Sequence, residues 1–189
     1  MSVFLRRFIE HKKLIMIAMI TVFSCGLLFG FYQYHLSNQM IKDYFSHLFY
    51  LNIEGYENQY QLYVIQGSLY IFICTYLSTS YLGHFGLLFL LFLKGLQLSY
   101  SFIFVFTNVP MSFLLFLFLL LETVLEISLC FAMNFICIHI SIYTTLVTFF
   151  VEQNFSMKSM LNYKLNCIII ALVIFSLALA FRIYIIPMF

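Results

Sequence analysis

The chain has 189 residues, of which 64% are hydrophobic, 21% aromatic and 8% charged. A soluble domain is nearer half apolar and a quarter charged, so this composition excludes both an ordinary globular surface and a disordered chain. A net charge of +2 is too small to point to nucleic acid. What remains is an all-α integral membrane protein in contact with membrane lipid, with room for roughly four to six spans and no separate soluble domain.

Cys25, Cys74, Cys130, Cys137 and Cys167 all lie in apolar runs, without Cys-x-x-Cys spacing or a Cys/His cluster. They read as small apolar fillers, and neither a metal nor a cofactor is expected. The chain has no tryptophan, so an interface belt must be built from tyrosine.

Residues 1–13 place Phe4, Leu5, Phe8 and Ile9 on one side and Arg6, Arg7 and Glu10 on the other. That pattern predicts a short amphipathic helix on the membrane surface. Arg6, Arg7, Lys12 and Lys13 abut the first apolar run, so the positive-inside rule places the N-terminus in the cytoplasm. Residues 14–34 form the first span. The run is long for a signal peptide and no small-x-small site follows, so a signal anchor is preferred. The span carries Gly26-Leu-Leu-Phe-Gly30, whose two bare positions let another helix approach. Packing within this chain is preferred to dimerisation.

Residues 37–62 are the long polar stretch. Ser37 is a candidate N-cap. Met40, Ile41, Tyr44, Phe45, Leu48 and Phe49 then line one face, and Asn38, Gln39, Lys42, Asp43, Ser46 and His47 the other. This is too polar to span, and predicts an external amphipathic interfacial helix, with a polar link over 52–61. It is either a connector or a docking surface for an external partner, with Tyr44, Phe45, Leu48 and Phe49 as the contact.

Residues 63–82 form the second span, and Gly83-His84-Phe85-Gly86 reads as a tight cytoplasmic turn. Residues 87–107 form the third, interrupted at Lys94-Gly95 and ended by Pro110. Gly95 joins Gly26 and Gly30 as a helix-packing position. Residues 111–151 are too many for one crossing, because about 40 residues make a helix of about 60 Å, twice the hydrocarbon thickness. They form either a broken or re-entrant helix followed by one crossing, or a hairpin turning near Asn134. The loop 152–166 carries Lys158 and Lys164 against Glu152, which fits the cytoplasm and favours a single crossing before it. Residues 167–186 are the last span, with Arg182 snorkelling outward. The expectation is a multi-pass cell-membrane bundle of about five transmembrane helices, one of them broken or re-entrant. Six spans are the alternative.

Lys94, Glu122 and Glu126 fall deep in apolar runs. A charge at mid-membrane costs about 3 kcal/mol on insertion scales, so such residues face the interior and pair. Glu122 and Glu126 share a helix face, and Lys94 is the partner for one of them. The trio reads either as a staple that fixes helix register or as a proton or cation relay, with Thr123, Asn134 and His139 available to extend it. No phosphate loop, zinc-protease motif or nucleophile–histidine spacing occurs, so no enzyme is expected.

Four patches resemble the stage II sporulation protein M family, integral membrane proteins of spore-forming bacteria with wider relatives. The first is Gly26-Leu-Leu-Phe-Gly30 after the basic start. The second is Leu90-Leu-Phe-Leu-Lys-Gly95, similar to the family's Phe-Leu-Lys-Gly run. The third surrounds Glu126, the acid of the family's Pro-His-Gly-x-x-Glu in a broken membrane helix, although Leu121, Glu122 and Thr123 stand where relatives have Pro, His and Gly. The fourth is Tyr184-Ile-Ile-Pro187, like the family's Tyr-x-x-Pro, with Arg182 replacing the preceding acid. The resemblance implies a non-enzymatic scaffold in the mother-cell membrane during engulfment. Its partners are then stage II sporulation proteins D and P, which degrade peptidoglycan outside the membrane. The residues alone leave two other readings: a small transporter or channel subunit using Lys94, Glu122 and Glu126, or an assembly factor in an organism that does not sporulate.

Overall fold

The computed structural model describes residues 3–42, 56–108 and 113–148, and helical residues scattered through 162–180. The described elements are helical, with no strand among them. Four long helices follow in order: α1 (Val3–Leu36), α2 (Tyr56–Leu77), α3 (Gly83–Asn108) and α4 (Phe113–Thr148). Two stretches, Lys13–Leu36 and Leu120–Ile142, are long and apolar enough to cross a membrane, and Val64–Leu77 is a shorter apolar helix.

α1 runs without a break for 34 residues, so the expected surface helix and first span are one element. No proline interrupts it. Met19, Phe23, Gly26, Gly30 and Tyr34 are buried along it, spaced three or four apart. That spacing winds one continuous stripe along the helix, and the stripe faces α3. A methyl group on Gly26 would run into the Phe92 carbonyl, and one on Gly30 would stand 2.7 Å from the Leu96 carbonyl oxygen. The two helices meet backbone to backbone. Tyr34 lies 3.2 Å from the Thr107 hydroxyl further along. These pairs rise together in both helices, so α1 and α3 are parallel.

The same reasoning orients the rest. Asn134 pairs with Tyr70 and Ser141 with Ser80, so α2 and α4 are parallel. Lys94 meets Glu126, and the Phe106 and Phe116 rings lie 5.6 Å apart, so α3 and α4 are antiparallel. Consecutive described helices therefore alternate in direction. Met19 and Phe23 of α1, Cys74 of α2, Leu87 and Leu91 of α3, and Cys130 and Met133 of α4 share one core. Ala171 and Phe175 join it from the last helical region, four residues apart on one face. The Phe175 ring fills the space a side chain at Gly67 would take.

Several expectations are corrected. α4 is a single helix of 36 residues, so there is neither a broken or re-entrant segment nor a hairpin turn within Phe113–Thr148. That stretch contains no Pro or Gly. Asn134 does not break it, because its amide donates to the Cys130 carbonyl one turn back, at 2.9 Å. α2 starts at Tyr56, so the end of the expected polar link is helix. The chain reverses at Ser78–Leu82, and Gly83-His84-Phe85-Gly86 opens α3. α3 passes through Lys94-Gly95 uninterrupted. Ser37 closes α1 by donating to the Gln33 carbonyl at 2.7 Å, and the next helical turn starts from the Asn38 carbonyl. Tyr44, Phe45, Leu48 and Phe49, Pro110, the loop after α4, Arg182 and Tyr184–Pro187 lie outside the described residues.

Candidate functional site

Lys94 projects from the middle of α3 toward α4. Its Nζ donates to Glu126 Oε1 at 2.6 Å and to Gln97 Oε1 at 2.9 Å. The two charged side chains are 13% and 19% exposed, so this is an ion pair with little water access. Short charge-assisted bonds of this kind are about twice as strong as neutral ones. Gln97 sits three residues after Lys94, on the same helix face, which is how it reaches the ammonium.

Glu122 lies one turn of α4 from Glu126 and is 4% exposed, beside buried Thr123. Both carboxylates thus occupy the inward face of α4, and Lys94 bridges to Glu126. Across the bundle, Phe23 of α1 packs its ring edge-on against Phe131 at 5.2 Å, closing the apolar wall beside the pair. Gly26, Gly30 and Gly95 all lie in the α1–α3 seam: a methyl group on Gly95 would stand 2.5 Å from the Phe23 carbonyl oxygen.

A second polar knot lies between α2 and α4. Asn134, fully buried, donates through Nδ2 to the Tyr70 hydroxyl and to the Cys130 carbonyl. The Cys130 carbonyl fixes which way the amide points, since only the NH2 end can donate to it. Cys74 and Cys130 are buried in the same core. Asn134 Oδ1 is buried and has no partner among the described residues. Asn134 is legible in the sequence as a network member, whereas Tyr70 is not. A lone hydroxyl in an apolar helix has no distinguishing spacing, and only the α2–α4 register brings the two together.

Hydroxyl groups close both ends of the bundle. At the Ser78–Leu82 reversal, Ser141 donates to the Ser80 carbonyl at 2.8 Å and Thr145 to the Tyr81 carbonyl at 2.7 Å. At the opposite end the Ser37 and Tyr100 hydroxyls lie 2.7 Å apart, and Lys42 stands 4.7 Å above the Tyr34 ring. Among the described residues no group of three or more His, Cys, Asp or Glu side chains is placed to hold a metal ion. The cysteines described, Cys25, Cys74, Cys130 and Cys137, are free thiols.

No family model, no curated protein and no solved structure matches the chain.

Proposed function

We propose that the chain is a non-enzymatic, multi-pass scaffold of the cell membrane. In this reading it crosses five times, its N-terminus is cytoplasmic, and it holds partners that act outside the membrane. Two apolar stretches long enough to span support the membrane setting. So do the outward surfaces, where Ile17 and Leu28 of α1 and Leu69 and Phe72 of α2 are exposed. Alternating helix directions suit a chain that crosses back and forth. One observation carries the scaffold reading: Lys94 is answered within the fold by Glu126 at 2.6 Å and Gln97 at 2.9 Å. A charge held this way fixes the register of α3 against α4, which is the work of a staple.

The resemblance of the four sequence patches supplies the partner class. We take the partners to be peptidoglycan-degrading proteins like stage II sporulation proteins D and P, localised during engulfment, and the 37–62 segment to be the contact. Affinity purification of the tagged chain from sporulating cells in mild detergent, with mass spectrometry of what comes with it, tests this. Recovery of cell-wall hydrolases is the expected result. Recovery of transporter subunits alone, or of no partner, would overturn it.

A second reading, a small transporter or channel subunit, is favoured by one feature. Glu122 and Glu126 share the inward face of α4, where buried acids in membrane helices often mark ion paths.

A further inference from the structure

A file of polar side chains runs along the inward face of α4, between buried apolar residues such as Leu129, Met133 and Ile138. Glu122, Glu126, Cys130, Asn134, Cys137 and Ser141 follow one another at intervals of three or four residues, all within the span-length stretch Leu120–Ile142. All but Glu126 are less than 5% exposed, and Glu126 is 19% exposed. From the first to the last is about 29 Å at 1.5 Å per residue, close to the hydrocarbon thickness of about 30 Å. An apolar bundle does not need such a file for packing, since a single polar contact fixes register. Its neighbours answer it with more polar groups: Lys94, itself held by Gln97, at Glu126, Tyr70 at Asn134, and the Ser80 carbonyl at Ser141.

We propose that this file conducts protons along the bundle, an inference that rests on the second reading above. The chemistry favours the proton over a metal cation. A cation needs several oxygens converging at one point. The file instead offers about one polar rung per turn, and no metal-holding group occurs among the described residues. Hydroxyl, thiol and amide groups each donate on one side and accept on the other. Successive rungs stand about 4.5 to 6 Å apart along the axis. Two hydrogen bonds of about 2.8 Å through one water cover that gap. Asn134 Oδ1, buried and unpartnered, is an acceptor placed for such a water.

Transfer along the file is balanced. A water held at Asn134 Oδ1 takes a proton from the Ser141 side and releases another toward the Tyr70 hydroxyl. That hydroxyl repeats the exchange across the Cys130 turn. The Glu126 carboxylate accepts the proton, its bridge to Lys94 loosens, and the proton leaves toward Glu122. Every group regains its starting protonation, and the transmembrane proton gradient drives the net movement.

The test uses the full chain in vesicles of neutral phospholipid, loaded with a pH-sensitive dye and polarised with potassium and valinomycin. The wild type should acidify the vesicles faster than protein-free controls. Asn134→Leu and Tyr70→Phe, which leave the ion pair in place, should slow this by about tenfold or more. Ser128→Ala, on the exposed face of α4, should not change it. Wild-type flux equal to that of empty vesicles would overturn the proposal. So would full flux in both folded variants, judged by unchanged gel-filtration profiles. Sodium or potassium flux without proton flux would overturn the proton path while leaving the transport reading standing.

Discussion

Gly95 of α3 has no room for a side chain because Phe23 of α1 is already there. A methyl group at Gly95 would stand 2.5 Å from the Phe23 carbonyl oxygen and 3.1 Å from the Leu27 nitrogen. Both are backbone atoms of a rigid helix, so neither can swing aside. The contrast is Gly86, where a methyl group would meet the end of the Leu77 side chain at 3.1 Å. That side chain can rotate. Gly95→Ala is therefore expected to destabilise the bundle by about 1–3 kcal/mol, and Gly86→Ala by less than about 1 kcal/mol. Unfolding midpoints of the two variants in the same detergent check the difference.

The reversal between α2 and α3 is tied to α4 by side-chain hydroxyls. Ser141 is fully buried and donates to the Ser80 carbonyl. Ser141→Ala leaves that carbonyl short of a donor and is expected to cost about 1–2 kcal/mol. Thr145→Val is expected to cost less, since Thr145 is half-buried and water can replace it at the Tyr81 carbonyl. Faster proteolysis at 78–82 in the Ser141 variant than in the Thr145 variant is the check.

The last helical region is held by one aromatic plug. Phe175 is 9% exposed and its ring occupies the space left by Gly67 on α2. Phe175→Ala opens a cavity there and is expected to cost about 3–5 kcal/mol, while Phe175→Leu, which refills much of it, costs less. Thermal denaturation of both variants measures this. Equal midpoints would show that the last region does not pack on α2.

How far the sequence revealed this depends on the kind of signal. Unbroken apolar runs announced helices because burial and backbone satisfaction follow directly from composition. The start of α2 was less legible, because Glu57, Asn58 and Gln59 look like loop until the helix is seen to continue through them. The position of the α2–α3 reversal was misjudged because Gly83 and Gly86 signal flexibility. Gly83 instead tucks against the Leu77 carbonyl as α3 begins. The length of α4 argued for a break on thickness alone, but a helix breaks only where a backbone bond is lost, and nothing from Phe113 to Thr148 removes one. Insertion cost in the bilayer makes Lys94 and Glu126 candidates for pairing. The Tyr70–Asn134 and Ser141–Ser80 contacts depend on helix register, which periodicity does not encode.

The proposed contact over residues 37–62 is open to a direct test. If the proposed partners are held there, replacing Tyr44, Phe45 and Phe49 with serine should weaken recovery of cell-wall hydrolases while leaving the amount of folded chain unchanged. Quantitative mass spectrometry of affinity-purified material reports both. Full recovery with all three replaced would remove 37–62 as the contact.

In the proposed scaffold, Lys94 and Glu126 hold the bundle so that the bundle can hold partners. The most direct measurement is partner recovery per folded chain for Glu126→Ala, Lys94→Ala and the double variant. Each single change strands a charge in a place with little water, a loss of about 3–5 kcal/mol for a buried pair. Low recovery is therefore expected from both single variants and substantial restoration in the double variant, where neither member of the pair is left stranded. A double variant that folds at the wild-type level but recovers no partner would contradict it.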